Sequence, residues 1–335
     1  MKDISVGDEV YTPNGYATRV LGVYPKGVRP VYKVTLRDGS STLVCNEHLW
    51  ETERYKGCWV REILSTDELK RLVDSDTIVN LPFVKPVEYP AANLPLDPYV
   101  LGVLLGDANI DKMGHVTLAC SEEEILHAIR ERGYELTLNS ASFGKCPIYY
   151  LKGVTKIMRD LGLAGHRSWE KFIPSMYLFG SVSQRLDLLR GLMDTDGYIS
   201  AKSEMEFVTS SEEFAKNVQE LIRSLGGRVG INKKEKVMYT SPNQKEPKQA
   251  RVAYRVQNIR LPNINPFSLS RKASRWVERK KKTSGNFGNR VVSVEYMFDD
   301  EVQCILVEDE RHLFLVDDYI PTHNTSNIIF LKSTD

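Results

Sequence analysis

The feature that most constrains this 335-residue chain is an internal repeat. Leu101-Gly102-Val103-Leu104-Leu105-Gly106-Asp107-Ala108 and Arg190-Gly191-Leu192-Met193-Asp194-Thr195-Asp196-Gly197 are both apolar helical runs with an internal glycine and a terminal aspartate. The two aspartates, Asp107 and Asp196, are 89 positions apart. Each is followed by a strand-like run, Val116–Ser121 in the first copy and Met205–Ser210 in the second, whose serine lies 14 positions past the aspartate. Ser121 with Glu124 and Ser210 with Glu213 read as capping boxes. Amphipathic helices follow, carrying Ile125, Leu126 and Ile129 in one copy and Phe214, Val218, Leu221, Ile222 and Leu225 in the other. Two helix–strand–helix units predict a pseudo-two-fold α+β domain.

The flanks differ from this middle. Thr18–Val23 and Val31–Leu36 are β-branched runs, with turn signals at Pro13-Asn14-Gly15 and Arg37-Asp38-Gly39. Near the other end Arg290–Tyr296, Val302–Glu308 and His312–Val316 read as strands. A β domain split in sequence by an α+β insertion is therefore expected, with joints in the Pro-rich stretch Leu81–Pro98 and in Lys280–Asn289. The chain is 41% hydrophobic and 27% charged, which excludes a mainly disordered protein. No apolar run approaches the roughly 18 residues of a membrane span, and no signal peptide is visible. The cysteines Cys45, Cys58, Cys120, Cys146 and Cys304 form no CxxC pair, so no zinc knuckle or disulfide framework is signalled and a reducing, cytoplasmic setting is expected. A net charge of +1 does not announce a nucleic-acid binder, but residues 271–282 are strongly basic: either a solvated helix face or linker, or a phosphate contact.

Glycine inside a helix costs about 1 kcal/mol relative to alanine. Gly102 and Gly191 therefore suggest two helices packed backbone to backbone on a pseudo-dyad, with Asp107 and Asp196 emerging side by side. Two carboxylates at helix C-termini repel each other and face the negative end of the dipole. A hard divalent cation, Mg²⁺, relieves both problems. Mg²⁺ between two acids and a phosphate suits phosphodiester hydrolysis, one acid per DNA strand. For either aspartate alone, an ordinary helix-end residue is the competing reading.

The two segments resemble the paired dodecapeptide motifs of the LAGLIDADG homing endonucleases. The second copy matches closely; the first has Ala108 where the family usually has glycine. The resemblance extends over roughly Leu94–Lys282 and includes Lys171-Phe172-Ile173-Pro174. It implies saddle-shaped sheets reading the major groove of double-stranded DNA at the insertion site, a monomer with internal pseudo-symmetry, and His115–Cys120, Ile148–Lys152, Glu204–Thr209 and Arg251–Ile259 as reading strands. It further implies Asp107 and Asp196 as catalytic metal ligands and lysines near them that support the attacking water. Lys171 and Lys272 are the candidates, a solvated surface lysine being the alternative for each.

The β-rich ends carry a second constellation. In His323-Asn324-Thr325 an asparagine amide can attack its own carbonyl, histidines can serve as acid and base, and a hydroxyl follows. This end resembles the C-terminal blocks of inteins, and Asp3–Val10 with Leu43–Leu49 resembles their N-terminal blocks. The resemblance implies an all-β, horseshoe-shaped Hint-type splicing domain interrupted by the endonuclease. Its parts would be 1–92, 93–285 for the endonuclease, 286–324, and a flanking extein stub at 325–335. His48 would polarise the upstream scissile bond, its alternative being a satisfied core histidine. Thr325 would accept the acyl group, and His312 and His323 would assist Asn324, with no cofactor. Cys45 stands where threonine is usual and Cys304 where many members have aspartate. Inteins open with a nucleophile ahead of the counterpart of Lys2–Val10, and this chain opens on Met1. The expectation is a split-intein C-terminal fragment acting with a complementary N-terminal fragment, the alternative being a misassigned start or a truncation. Residues 325–335 resemble a phage terminase large subunit. Two other readings are an endonuclease with a decayed splicing domain and a non-catalytic DNA-binding relative.

Overall fold

In the computed structural model, residues 3–139, 146–235, 238–239, 248–249, 251–276 and 288–324 are described. The chain divides into two units, one formed by residues 1–88 and 280–335, the other by residues 89–279. The first unit opens with β1 (Glu9–Tyr11), β2 (Ala17–Leu36), β3 (Ser41–Cys45), β4 (Leu49–Tyr55) and β5 (Trp59–Ser65). Helix α1 (Thr66–Asp74) and β6 (Asn80–Leu81) follow. Ser65 and Glu68 close a capping box at the start of α1.

The second unit is built on the repeat. Its first copy runs through α2 (Pro98–Asp107), β7 (Ala108–Ile110), β8 (Val116–Ala119), α3 (Glu123–Glu131), β9 (Leu136–Asn139) and β10 (Ile148–Leu151). After α4 (Thr155–Asp160) and α5 (Ser175–Leu178), the second copy runs through α6 (Val182–Thr195), β11 (Gly197–Ile199), β12 (Met205–Thr209), α7 (Glu212–Ser224) and β13 (Arg228–Lys234). The short pair β14 (Met238–Tyr239) and β15 (Lys248–Gln249), then β16 (Ala253–Arg260) and α8 (Ser270–Ala273), complete the unit. The two four-stranded sheets have matching orders, β7-β8-β10-β9 and β11-β12-β16-β13. The core holds Leu101, Leu104, Leu188 and Leu192 of the paired helices with Leu118 and Phe207 of the sheets.

The paired helices meet as the glycines predict. A Cβ on Gly102 would lie 2.4 Å from the Leu188 carbonyl oxygen, and one on Gly191 would lie 2.2 Å from that of Tyr99. Both obstacles are backbone. Helix α2 starts where Pro98 occupies the first turn and Asp97 caps the Val100 N–H at 3.1 Å.

The capping boxes expected at Ser121 and Ser210 are not formed. Helix α3 begins after Glu122, which makes no side-chain cap, and Glu124 instead accepts from Ser270. Helix α7 is capped one residue later than expected, by Ser211 accepting from the Phe214 N–H, while Ser210 donates to Ser168. In both places a tertiary partner, or an adjacent serine, outcompetes the local pairing.

The first unit closes with β17 (Asn289–Val307), β18 (Leu313–Val316) and β19 (Ile320–His323). The strands expected as separate runs at 18–23 and 31–36, and at 290–296 and 302–308, are continuous. Strands β2 and β17 pair antiparallel from Leu36–Val291 to Val20–Val307, with four register shifts that let the ribbon bend without breaking. These strands join a nine-stranded sheet whose path is β1-β2-β17-β6-β4-β19-β18, with β3 on β2 and β5 on β4. Trp50, Val34, Val294 and Leu69 form its main core. Among the described residues no helix is long and apolar enough to cross a membrane.

Gly102→Ala is predicted to destabilise the second unit by about 1–3 kcal/mol, because overpacking against backbone exceeds the helix-propensity gain. Denaturant unfolding checks it; a variant as stable as the wild type would show that the helices separate without penalty.

Candidate functional site

Asp107 is the last residue of α2 and Asp196 directly follows α6. Both reach solvent, but the surrounding protein strips much of their hydration. Burial raises the Asp107 carboxyl, opposed by the charges of Lys171 and Lys272. Burial and then the charge of Asp107 push Asp196 up to about 6, again opposed by the two lysines. The acids and both candidate lysines thus form one electrostatic cluster.

Neither lysine is a solvated surface residue. The Lys171 ammonium donates to the carbonyls of Leu105 at 2.6 Å and Gly106 at 2.9 Å, capping the end of α2. Lys272 is only 5% exposed. Its ammonium lies 2.8 Å from the Met193 carbonyl, 2.7 Å from Asp194, 3.0 Å from Thr195 and 2.6 Å from Gly197, capping the end of α6. Burial lowers both ammonium groups; for Lys272 burial and then the charge of Arg271 bring it to about 8. A helix C-terminus gathers unpaired carbonyls at its negative end, and a lysine satisfies both. The basic run accordingly contributes Lys272 inward and Arg271 to an ion pair with Glu122 at 2.8 Å. Residues 277–282 of that run lie outside the described residues.

One residue escaped sequence reasoning. Asp194, 2% exposed, accepts from the Tyr99 hydroxyl at 3.0 Å and from the backbone N–H groups of Ser268 and Leu269, both at 3.0 Å. Burial raises its carboxyl despite those donors. An acid inside an apolar helical run, where the first copy has Leu105, was the available signal.

The residues fit a hard divalent cation. Two partly desolvated carboxylates, one raised by the other's charge, are stabilised by a cation that neutralises both. Among the described residues no cluster of three or more His, Cys, Asp or Glu side chains could hold a metal. Two carboxylates leave positions for backbone, phosphate and water oxygens, as suits Mg²⁺. The outward faces of β8, β10, β12 and β16 alternate with the core positions and carry Thr117, Tyr150, Glu206, Arg255 and Gln257.

The first unit gathers a second cluster. His48, Cys45 and Cys304 line one small cavity with Lys26, Glu47 and Gln303. His48 stands edge-on to Trp50 with ring centroids 5.1 Å apart, and burial, then the charge of His323, lower its pKa to about 4. Burial raises the Cys45 thiol. His312 and His323 are 6.1 Å apart, ring to ring, and the Asn324 N–H donates to the His312 carbonyl at 3.0 Å. His323 Nδ1 lies 2.5 Å from the carbonyl oxygen of Asn324, whose side chain is buried. Thr325 lies outside the described residues.

Residues 183–259, which include the second motif, match the LAGLIDADG-like domain family. The chain is thus similar to that family over 77 of its 335 residues. Its relatives include the replicative DNA helicase DnaB of Mycobacterium intracellulare, 28% identical over 99% of this chain and 57% of that protein. The DnaB of Rhodothermus marinus is 28% identical over 62% of this chain and 23% of its own length. The chain thus spans 57% and 23% of the lengths of these two relatives, and it contains no G-x-x-x-x-G-K-[ST] phosphate loop. Among solved structures, the homing endonuclease I-DmoI in complex with DNA and Ca aligns at a TM-score of 0.34. That alignment has 11% identity and covers 53% of this chain and 94% of that one.

Asp196→Asn should raise the melting temperature of the metal-free second unit. A carboxyl whose pKa is raised on folding stabilises the fold while protonated and loses that contribution as pH rises through about 6. Above that pH the neutral amide, discounted for solvent screening, is worth about 1 kcal/mol, on the order of 2–4 °C. Calorimetry at pH 7.5 in EDTA measures it; an unchanged or lower melting temperature would mean the carboxylate is not strained by its surroundings.

Proposed function

We propose that the second unit is a site-specific DNA endonuclease of the LAGLIDADG homing type. The observation that carries this is the joint placement of Asp107 and Asp196 at the ends of two glycine-packed helices, each end capped by a lysine. The two acids would hold Mg²⁺, which supplies charge neutralisation at the scissile phosphate. Lys171 and Lys272 fix the two helix ends and set a positive field around the acids, and the outward strand faces are suited to the major groove of double-stranded DNA. The LAGLIDADG-like match supports the reading. Retention of both acids favours it over a non-catalytic DNA-binding relative. Asp107→Asn is predicted to abolish double-strand cleavage of a DNA carrying the uninterrupted host sequence while leaving binding in Ca²⁺ intact. Gel assays of cutting and of binding decide it, and cleavage at the wild-type rate would exclude Asp107 from the reaction.

We further propose that the first unit is an intein-type splicing domain of Hint fold. The contact of His323 Nδ1 with the Asn324 carbonyl supports this: with its proton on Nδ1, the ring polarises the carbonyl carbon that the asparagine amide would attack. The new bond from the side-chain nitrogen to that carbon closes a succinimide, and the departing backbone nitrogen takes up a proton. His312 holds the Asn324 backbone, and His48, kept neutral, would serve the upstream bond together with Cys45 and Cys304. Thr325 would be the acyl acceptor. The DnaB relatives favour a replicative helicase as the host protein, in place of the terminase suggested by residues 325–335. Intact mass spectrometry, with and without a synthetic N-terminal intein segment that begins with cysteine, should reveal loss of residues 325–335 that disappears in Asn324→Ala. Loss that persists in the variant would mean ordinary proteolysis, and no loss in either mixture would favour an endonuclease with a decayed splicing domain.

A further inference from the structure

The two site lysines reach the acids on segments held in an unexpected way. Lys272 caps the end of α6, in the second copy of the repeat, but its segment is fastened to α3 of the first copy. Glu124 of α3 accepts from the Ser270 N–H at 2.9 Å and from the Ser270 hydroxyl at 2.7 Å. Glu122 pairs with Arg271. Lys171 shows the converse. It caps the end of α2, in the first copy, but its segment is fastened to α7 of the second. Ser211 donates its hydroxyl to the Lys171 carbonyl at 2.7 Å, and Asn217 Oδ1 accepts from the Ile173 N–H at 2.8 Å.

We propose that the two halves of the acid site are cross-braced: Glu124 and Asn217 are positioning residues, each seating the lysine that caps the other copy's catalytic helix. An ammonium satisfied by carbonyls at one helix end needs its own backbone anchored elsewhere, or the long side chain's freedom opposes the contact. The anchors come in both cases from the opposite repeat. Neither Glu124 nor Asn217 touches Asp107 or Asp196, so their effect is exerted through Lys272 and Lys171. Asp194 adds a second hold on the same strap as Lys272, gripping the N–H groups of Ser268 and Leu269 just before the Ser270 amide taken by Glu124. That hold has no counterpart at Leu105, so the Lys272 seat is the firmer of the two.

The consequence for cutting rests on the endonuclease reading, but the seating does not. It is tested on the full chain without DNA, by acetylating lysines with a water-soluble reagent and following each site by peptide mass spectrometry. Glu124→Ala should raise the modification rate of Lys272 several-fold and leave Lys171 at its wild-type rate. Asn217→Ala should do the reverse. Glu124→Gln and Asn217→Asp keep the accepting oxygen and should restore protection. Equal rates in wild type and alanine variants, or both lysines loosened together by either one, would overturn the cross-brace. Glu124 is exposed and Asn217 half-buried, so both variants are expected to fold, and their melting curves check it. On cleavable DNA either alanine variant should slow single-turnover cutting by about tenfold to a hundredfold, the scale on which small misplacements act. Cutting at the wild-type rate despite a loosened lysine would sink the positioning role. A wild type that protects both lysines and cuts no DNA would overturn the endonuclease reading and leave the seats standing.

Discussion

Backbone contact between α2 and α6 is the constraint on which the second unit depends. At Gly102 and Gly191 the space a Cβ would need is already filled by main-chain atoms of the facing helix. Each glycine costs about 1 kcal/mol in helix propensity, offset by the flanking apolar residues, among them Leu101, Leu104, Leu188 and Leu192, that the approach buries completely. The closeness then dictates what can stand further along. At Gly106 a Cβ would fall 2.0 Å from the Thr195 hydroxyl, so the pseudo-symmetric pair is one glycine and one threonine. The next residue in each copy is an aspartate, and the charge of Asp107 raises the Asp196 carboxyl.

Bringing two helix C-termini together concentrates negative potential: unpaired carbonyls, two partial dipole charges and two carboxylates. The protein answers with two ammonium groups rather than arginines. A lysine head is a compact point charge that can sit among converging carbonyls, whereas a guanidinium demands a planar partner. Because the lysines spend their N–H groups on carbonyls, they moderate the acids by field rather than by ion pairing. The carboxylates keep their oxygens available and their pKa values raised, which is the state in which a divalent cation gains most by arriving.

Much of this was legible in the sequence. The repeat, the two glycines, the two aspartates and the following strand and helix could be placed because 3.6-residue periodicity and matched spacing are local signals. What failed to read was whatever depends on partners far along the chain. The cap of α7 moved from Ser210 to Ser211, and Glu124 left its expected capping box to bind Ser270, 146 residues away. The lysines looked like solvated charge because nothing nearby in sequence announces a ring of carbonyls. Asp194 hid inside an apolar run. In the first unit the ribbon of β2 and β17 read as four short strands, since Pro25, Gly27 and Pro30 are local break signals that a long partner strand overrides through shifts in register.

The same dependence on distant pairing assembles the second cluster. His323 pairs across the sheet with Leu49, which sets it beside His48 although the two are separated by most of the chain. Among the described residues His48 Nε2 and His312 Nδ1 are buried and have no hydrogen-bond partner. An unsatisfied buried polar atom costs about 1–3 kcal/mol. A sheet core that needed only stability would fill such positions with apolar side chains of similar size. Other side-chain atoms of the first unit, among them Asn46 Oδ1, Asn80 Oδ1 and Asn289 Oδ1, are likewise buried without a partner among the described residues, so the cost is spread over this sheet core rather than confined to the histidines.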